Sequence, residues 1–124
     1  MESGDKQIMY CWHSVEGYSK FGTYEGNGAT DGPFVYLGFR PAWIMIKNVD
    51  ATGNWQILDY KRNPINPAND FVRANATTVE TSNYDVDFLS NGFKLRNTDQ
   101  DYNSAHTFIY MAFAEMPFKY ATAR

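Results

Sequence analysis

Residues 32–59 (GPFVYLGFRPAWIMIKNVDATGNWQILD) carry three apolar runs separated by two breaks. The first, residues 34–39, is aromatic and β-branched. Pro41 follows it and has no N–H for a ladder, so a break or an edge belongs there. Trp43, Ile44, Met45 and Ile46 then run apolar without alternation, the pattern of a strand covered on both faces. Asp50-Ala51-Thr52-Gly53 reads as a short hairpin loop. Trp55 and Ile57 resume beyond it, with polar Asn54 and Gln56 between. The stretch predicts the central hairpin of an all-β domain.

The remaining chain has the same texture. Residues 8–13 and 18–25 alternate as strands, with a turn at 14–17. Residues 26–33 (GNGATDGP) form the densest cluster of breakers and predict a loop. Two X-Pro units and their Asn neighbours make residues 63–69 an extended surface loop. Short strands are expected at 71–74 and 78–80. Residues 85–89 and 92–96 flank Ser90-Asn91 as a tight hairpin. Residues 97–105 are a polar loop, and 107–114 a long strand with Ile109, Met111 and Phe113 on one face and Phe108 and Tyr110 on the other. No segment of ten residues has a helical period. The expected fold is an antiparallel, two-layer β-sandwich of the jelly-roll or lectin-like kind. Its expected core is Trp43, Ile44, Ile46, Trp55, Ile57, Phe88, Phe93, Leu95, Ile109, Met111 and Phe113.

Composition sharpens this. The 124 residues amount to one domain. They include 9 Tyr, 9 Phe and 3 Trp, more rings than a domain of this size hides, so some are expected on a binding surface. The formal net charge is −3 and no basic run occurs, which argues against nucleic acid. No segment approaches the roughly 18 apolar residues of a membrane helix. The polar opening MESGDKQ carries no signal-peptide pattern. The single cysteine, Cys11, excludes an internal disulfide and is expected to be a buried, idle thiol.

Little points to catalysis. Residues 26–32 lack the Lys-Ser/Thr end and following helix of a phosphate loop. Cys11, His13 and His106 do not make a zinc set. The acid pairs Asp85/Asp87 and Asp99/Asp101 sit among asparagines, so calcium is the one metal left open, without EF-hand spacing; otherwise no cofactor is expected. Glu16, Glu25, Glu80 and Glu115 show no clustered pattern of paired carboxylates, and no nucleophile, base and orienter assemble. The chain is read as a binding or structural module rather than an enzyme. Seven tyrosines, Tyr18, Tyr24, Tyr36, Tyr60, Tyr84, Tyr102 and Tyr120, lie in or beside polar loops.

Residues 7–13 (QIMYCWH) echo residues 108–114 (FIYMAFA) about a domain apart, each followed by a glutamate. The echo suggests a repeat unit, with residues 1–17 closing a preceding copy and 18–124 forming the sandwich. Two ordinary core strands are the alternative.

Four runs, residues 18–22 (YSKFG), 26–46 (GNGATDGPFVYLGFRPAWIMI), 87–96 (DFLSNGFKLR) and 108–119 (FIYMAFAEMPFK), resemble a domain recurring in tail-fibre and other virion proteins of tailed bacteriophages, especially marine ones. The resemblance covers nearly all the chain after Gln7. It implies a virion component, made in the bacterial host cytoplasm and placed on the tail or capsid exterior, that self-associates as a homotrimer and meets other virion proteins. It implies no catalytic residues. One function that follows is a receptor-binding module touching a host-surface glycan or protein. The alternative is a purely structural domain, such as a capsid decoration or assembly protein. For recognition, the loops 26–33, 63–69 and 97–105 are the candidates. Tyr24, Tyr60 and Tyr102 would stack on sugar, and Asp31, Asn66, Asp99 and Asn103 would bond hydroxyls.

Overall fold

The computed structural model describes Gly4 and residues 6–116. It contains eight strands: β1 (Ser19–Glu25), β2 (Phe34–Tyr36), β3 (Pro41–Asn48), β4 (Gln56–Asp59), β5 (Ala68–Arg73), β6 (Thr81–Leu89), β7 (Gly92–Leu95) and β8 (Thr107–Ala114). Among the described residues there is no helix, and so none long and apolar enough to cross a membrane. All eight strands belong to one antiparallel sheet in the order β1-β8-β3-β4-β5-β6-β7-β2. Strands β3 to β7 form a meander; β8 returns to insert between β1 and β3.

The sheet is nearly barrel-shaped. Tyr24 of β1 meets Phe93 of β7 edge-on at 6.0 Å, although five strands separate β1 from β7 in the order. Tyr110 of β8 meets the same ring at 5.7 Å. Lys20 of β1 stands 5.3 Å from the ring centre of Tyr36 on β2, bringing the two edge strands together.

The expected centre is where the pattern put it. β3 lies between β8 and β4, and its pairing with β8 slips in register between Pro41 and Trp43, where the proline interrupts the ladder. The loop of residues 49–55 makes the β3–β4 hairpin, and Ser90-Asn91 makes the β6–β7 turn. Two expected strands are not formed. Residues 78–80 precede β6 rather than forming a strand. Residues 8–13 make no ladder, and Ile8, Met9 and Tyr10 are 80, 85 and 71% exposed. Cys11 is exposed with them, not buried as expected, because the lead never docks on the interior.

The inner and outer faces of the strands also differ from expectation. Ile44, Ile46, Phe88, Phe93 and Leu95 are interior as expected, joined by Leu58, Phe71, Val86, Tyr102, Phe108 and Ala112. Trp43, Trp55, Ile57, Ile109, Met111 and Phe113 are not: they point outward. On β8 the inward set is Phe108, Tyr110 and Ala112, the face that looked secondary. Strand periodicity separates two faces without saying which is inside. Here both faces of β3 and β8 are apolar. The outward set is continuous: register places Phe21, Met111, Met45, Ile57 and Val72 side by side across five strands, with Trp43 beside Phe113 in the next row.

Candidate functional site

The three loops proposed for recognition do not share one end of the sheet. Loop 26–33 leaves the end of β1 and loop 96–106 leaves the end of β7, so both stand at the end that also carries the β3–β4 turn. Loop 60–67 joins β4 to β5 at the opposite end.

The first two loops are bound into one body through Asn103. Its side-chain oxygen accepts from the Asn27 N–H at 3.0 Å, and its amide lies within 2.8 Å of the Asn97 carbonyl and 2.7 Å of the Ala29 carbonyl. The Asn103 carbonyl accepts from Gly28 at 2.7 Å, and that of His106 from Gly26 at 2.9 Å. Gly28 has φ +66°, a conformation that favours glycine. A Cβ on Gly26 would collide with the Ser104 carbonyl oxygen, so only glycine lets the loops meet there.

Loop 97–103 is itself a chain of side-chain turns. Asn97 Oδ1 accepts from the Asp99 N–H at 3.0 Å, and Asp99 Oδ1 from the Asp101 N–H at 2.8 Å. Asp101 then reaches Gln56 Nε2 on β4 at 2.6 Å. Buried Asn48 ends β3 by accepting from the Asp50 and Ala51 N–H groups at 3.0 and 3.1 Å, and it donates to the Gln100 carbonyl at 2.8 Å.

Against this body lies a polar groove of about 500 Å³, lined by Thr30, Asn83, Tyr84, Asp85, Arg96, Asn97, Thr98, Asp99 and Gln100. Tyr84 is half-buried, packed on Phe71 at 5.4 Å and on Tyr102 at 5.3 Å. Burial raises its hydroxyl pKa, and Asp99, to which it hydrogen-bonds, adds to the rise. The hydroxyl is therefore a neutral donor at neutral pH. Beside the groove runs a row of opposite charges. Asp31 takes Lys94 at 2.9 Å and Arg96 at 3.5 Å, and Arg96 Nε reaches Asp87 at 2.7 Å. The Lys94 hydrogen bond, then its charge, holds the Asp31 carboxyl below the ordinary range. At 84% side-chain exposure such a pair orients the rim more than it stabilises the fold.

The expected site residues divide accordingly. Asp99 lines the groove and Asp31 stands beside it. Asn103 is fully buried and acts as the tie between loops, not as a ligand group. Tyr24 and Tyr102 are 8 and 0% exposed, so neither ring offers a face for stacking; both are core. They stack inward because the curled sheet leaves an interior that large rings must fill. Tyr60 is half-buried at the other end, beneath Lys61. Asn66 is there too, its side chain bonded both ways to the backbone of Phe88 at 2.8 and 2.9 Å. Of the other loop tyrosines, Tyr18 and Tyr36 are exposed, and Tyr120 lies outside the described residues.

Sequence reasoning named Tyr84 and Asp85 without choosing them, and did not choose Asn83, Arg96, Asn97, Thr98 or Gln100. The run of Asn, Asp and Thr on either side of β6 and β7 was the available signal. Among the described residues no three His, Cys, Asp or Glu side chains gather as metal ligands. Three of the paired acids are each taken up by a side chain already named, Asp87 by Arg96, Asp99 by Tyr84 and Asp101 by Gln56, and Asp85 faces the Asn69 amide at 3.4 Å.

Over residues 1–117 the chain matches the family described as a domain of unknown function, DUF7483, and it belongs to that family. No curated protein and no solved structure matches it.

Proposed function

We propose that this domain is a virion module of a tailed bacteriophage, self-associating with other copies, that recognises a host-surface glycan at the groove that residues 96–100 and Thr30 form with residues 83–85 of β6. Within this reading the chain is not an enzyme, needs no cofactor, and its curled sheet is a variant of the two-layer, lectin-like jelly roll. The virion assignment rests on the four sequence runs that resemble phage fibre domains.

The recognition assignment rests on one observation, the groove itself. It gathers Asn83, Thr98, Asp99, Gln100 and Arg96 in one concavity with Tyr84, whose neutral hydroxyl bonds to Asp99. Amides, a carboxylate and a guanidinium in one concavity match the alternating donors and acceptors of sugar hydroxyls. Hydrogen bonds to a solvated groove are individually weak, so useful affinity comes from several copies binding together. The test is adsorption of particles carrying Asn83→Ala, Thr98→Ala and Gln100→Ala together. All three residues are exposed, and the one tie lost among the described residues is that of the Gln100 amide to the Thr52 carbonyl at 3.0 Å, so the melt falls little while adsorption falls at least tenfold. Full adsorption by a properly folded triple variant rejects the groove as the receptor site.

A purely structural virion role is the second reading, and the continuous apolar outer face favours it.

A further inference from the structure

We infer that the lead, residues 6–14, of one chain seats on the apolar outer face of a second copy, so that copies assemble by exchanging leads. The inference names the surface for the self-association proposed above and stands apart from the glycan groove.

Two apolar surfaces left exposed among the described residues carry it. The lead presents Ile8, Met9, Tyr10 and Trp12 at 80, 85, 71 and 56% exposure. Its hydrogen bonds to the sheet lie at its end, where Ser14 Oγ accepts from the Phe21 N–H at 3.1 Å and the His13 carbonyl from Ser19 Oγ at 3.2 Å. The outer face holds a groove of about 640 Å³ between Trp43, Met45, Trp55 and Met111. Of the lead, only Trp12 borders this groove; Tyr10 stacks on Trp12 at 5.9 Å rather than entering it.

Area and charge both suit a second copy. Large side chains each hide about 150–250 Å² when covered, so the four lead residues at these exposures offer on the order of 600 Å². Counting the face they would cover, each seat hides roughly 1,200 Å², where stable interfaces between proteins begin. In the lead only Lys6, at its start, is charged, and the groove lining has no Asp, Glu, Lys or Arg, so residues 7–13 seat without desolvating a charge. A chain that carries one lead and one face supplies both halves of the contact in equal number. Repeated head-to-tail, the contact builds a ring where the rotation closes and a filament where it does not; two copies that exchange leads with each other make a twofold pair.

Sedimentation velocity on the full chain tests this, over micromolar to millimolar concentration. The wild type should associate. A lead variant, Tyr10→Ser with Trp12→Ser, should sediment as a monomer, and so should a face variant, Met45→Lys. Mixed one to one, the two variants should pair, because one intact lead then meets one intact face. Circular dichroism checks that each variant keeps its strands, and Ile109→Lys replaces Met45→Lys if the latter does not. A monomeric wild type overturns this inference together with the self-association reading. An oligomer that survives either variant overturns this inference alone and moves the contact to another surface.

Discussion

The Tyr24 hydroxyl donates to the Tyr102 backbone carbonyl at 2.6 Å, joining β1 to the loop before β8 across 78 positions of sequence. Burial, and then Tyr102, raise the Tyr24 pKa well above its ordinary value, so the hydroxyl keeps its proton and the bond persists at any neutral or mildly alkaline pH. Tyr102 is the opposite case. Its own hydroxyl is buried without a hydrogen-bond partner among the described residues.

The two tyrosines should therefore respond differently to the same substitution. Tyr24→Phe leaves a buried carbonyl short of its donor and should cost about 1–3 kcal/mol. Tyr102→Phe removes an unpaired hydroxyl and should be neutral or stabilising. Denaturant melts of the two variants decide it; a larger loss from Tyr102→Phe would mean that its hydroxyl is bonded after all.

Gly26→Ala should separate loop 26–33 from loop 96–106. The new methyl meets the Ser104 carbonyl, a backbone atom that cannot swing away. A stability loss of at least about 1 kcal/mol is expected, the scale of other strained core substitutions. Amide signals of residues 27–32 and 96–104 should move while those of β3 to β5 stay. A variant that melts like wild type would show that the loops are not held together at this point.

Substitutions on adjacent residues of β3 should report the two faces. Ile44 is fully buried and Ile44→Ala should cost about 2–5 kcal/mol. Trp43 is half-exposed on the outer face, against Phe113 at 5.7 Å, and Trp43→Ser should cost less in a dilute monomer despite the larger truncation. Equal or reversed losses in urea melts would place Trp43 inside the sheet.

Asp50 gives a pH signature. Its carboxylate accepts from the Thr107 N–H at 2.7 Å, and bonds to the Thr107 backbone, then side chain, lower its pKa. A carboxyl whose folded pKa is depressed stabilises fully above its unfolded value of about 3.9 and loses that contribution as pH falls through the folded value. The tie between the β3–β4 turn and the start of β8 should thus hold at pH 5 and fade only in stronger acid, below about pH 4. Carbon NMR of the Asp50 carboxyl should titrate below that of a free aspartate. A midpoint at or above the ordinary value contradicts the bond.

Particular residues show what could be read from the chain and what could not. The strand positions around Trp43–Ile46, the Ser90-Asn91 turn and the 107–114 strand were legible because apolar runs and breakers are local signals. The choice of inner face was not, since Ile109, Met111 and Phe113 look as apolar as Phe108, Tyr110 and Ala112. It depends on how the sheet curls, which is set by strands far apart in sequence. The same limit applies to the candidate site. Loops 26–33 and 97–105 could be named as loops, but their union at Asn103 and the removal of loop 63–69 to the other end follow from strand order. Tyr24 and Tyr102 read as surface tyrosines because their neighbours are polar; those neighbours are the backbone-tying groups that let the rings turn inward.

The glycan groove is tested most directly by amide NMR on the labelled domain, titrated with polysaccharide purified from the surface of host cells. The account predicts progressive shifts at Thr30, at residues 83–85 and at residues 96–100, with β3, β4 and loop 60–67 unchanged. Shifts confined to loop 60–67 or to the outer face, or none up to millimolar sugar, would contradict it.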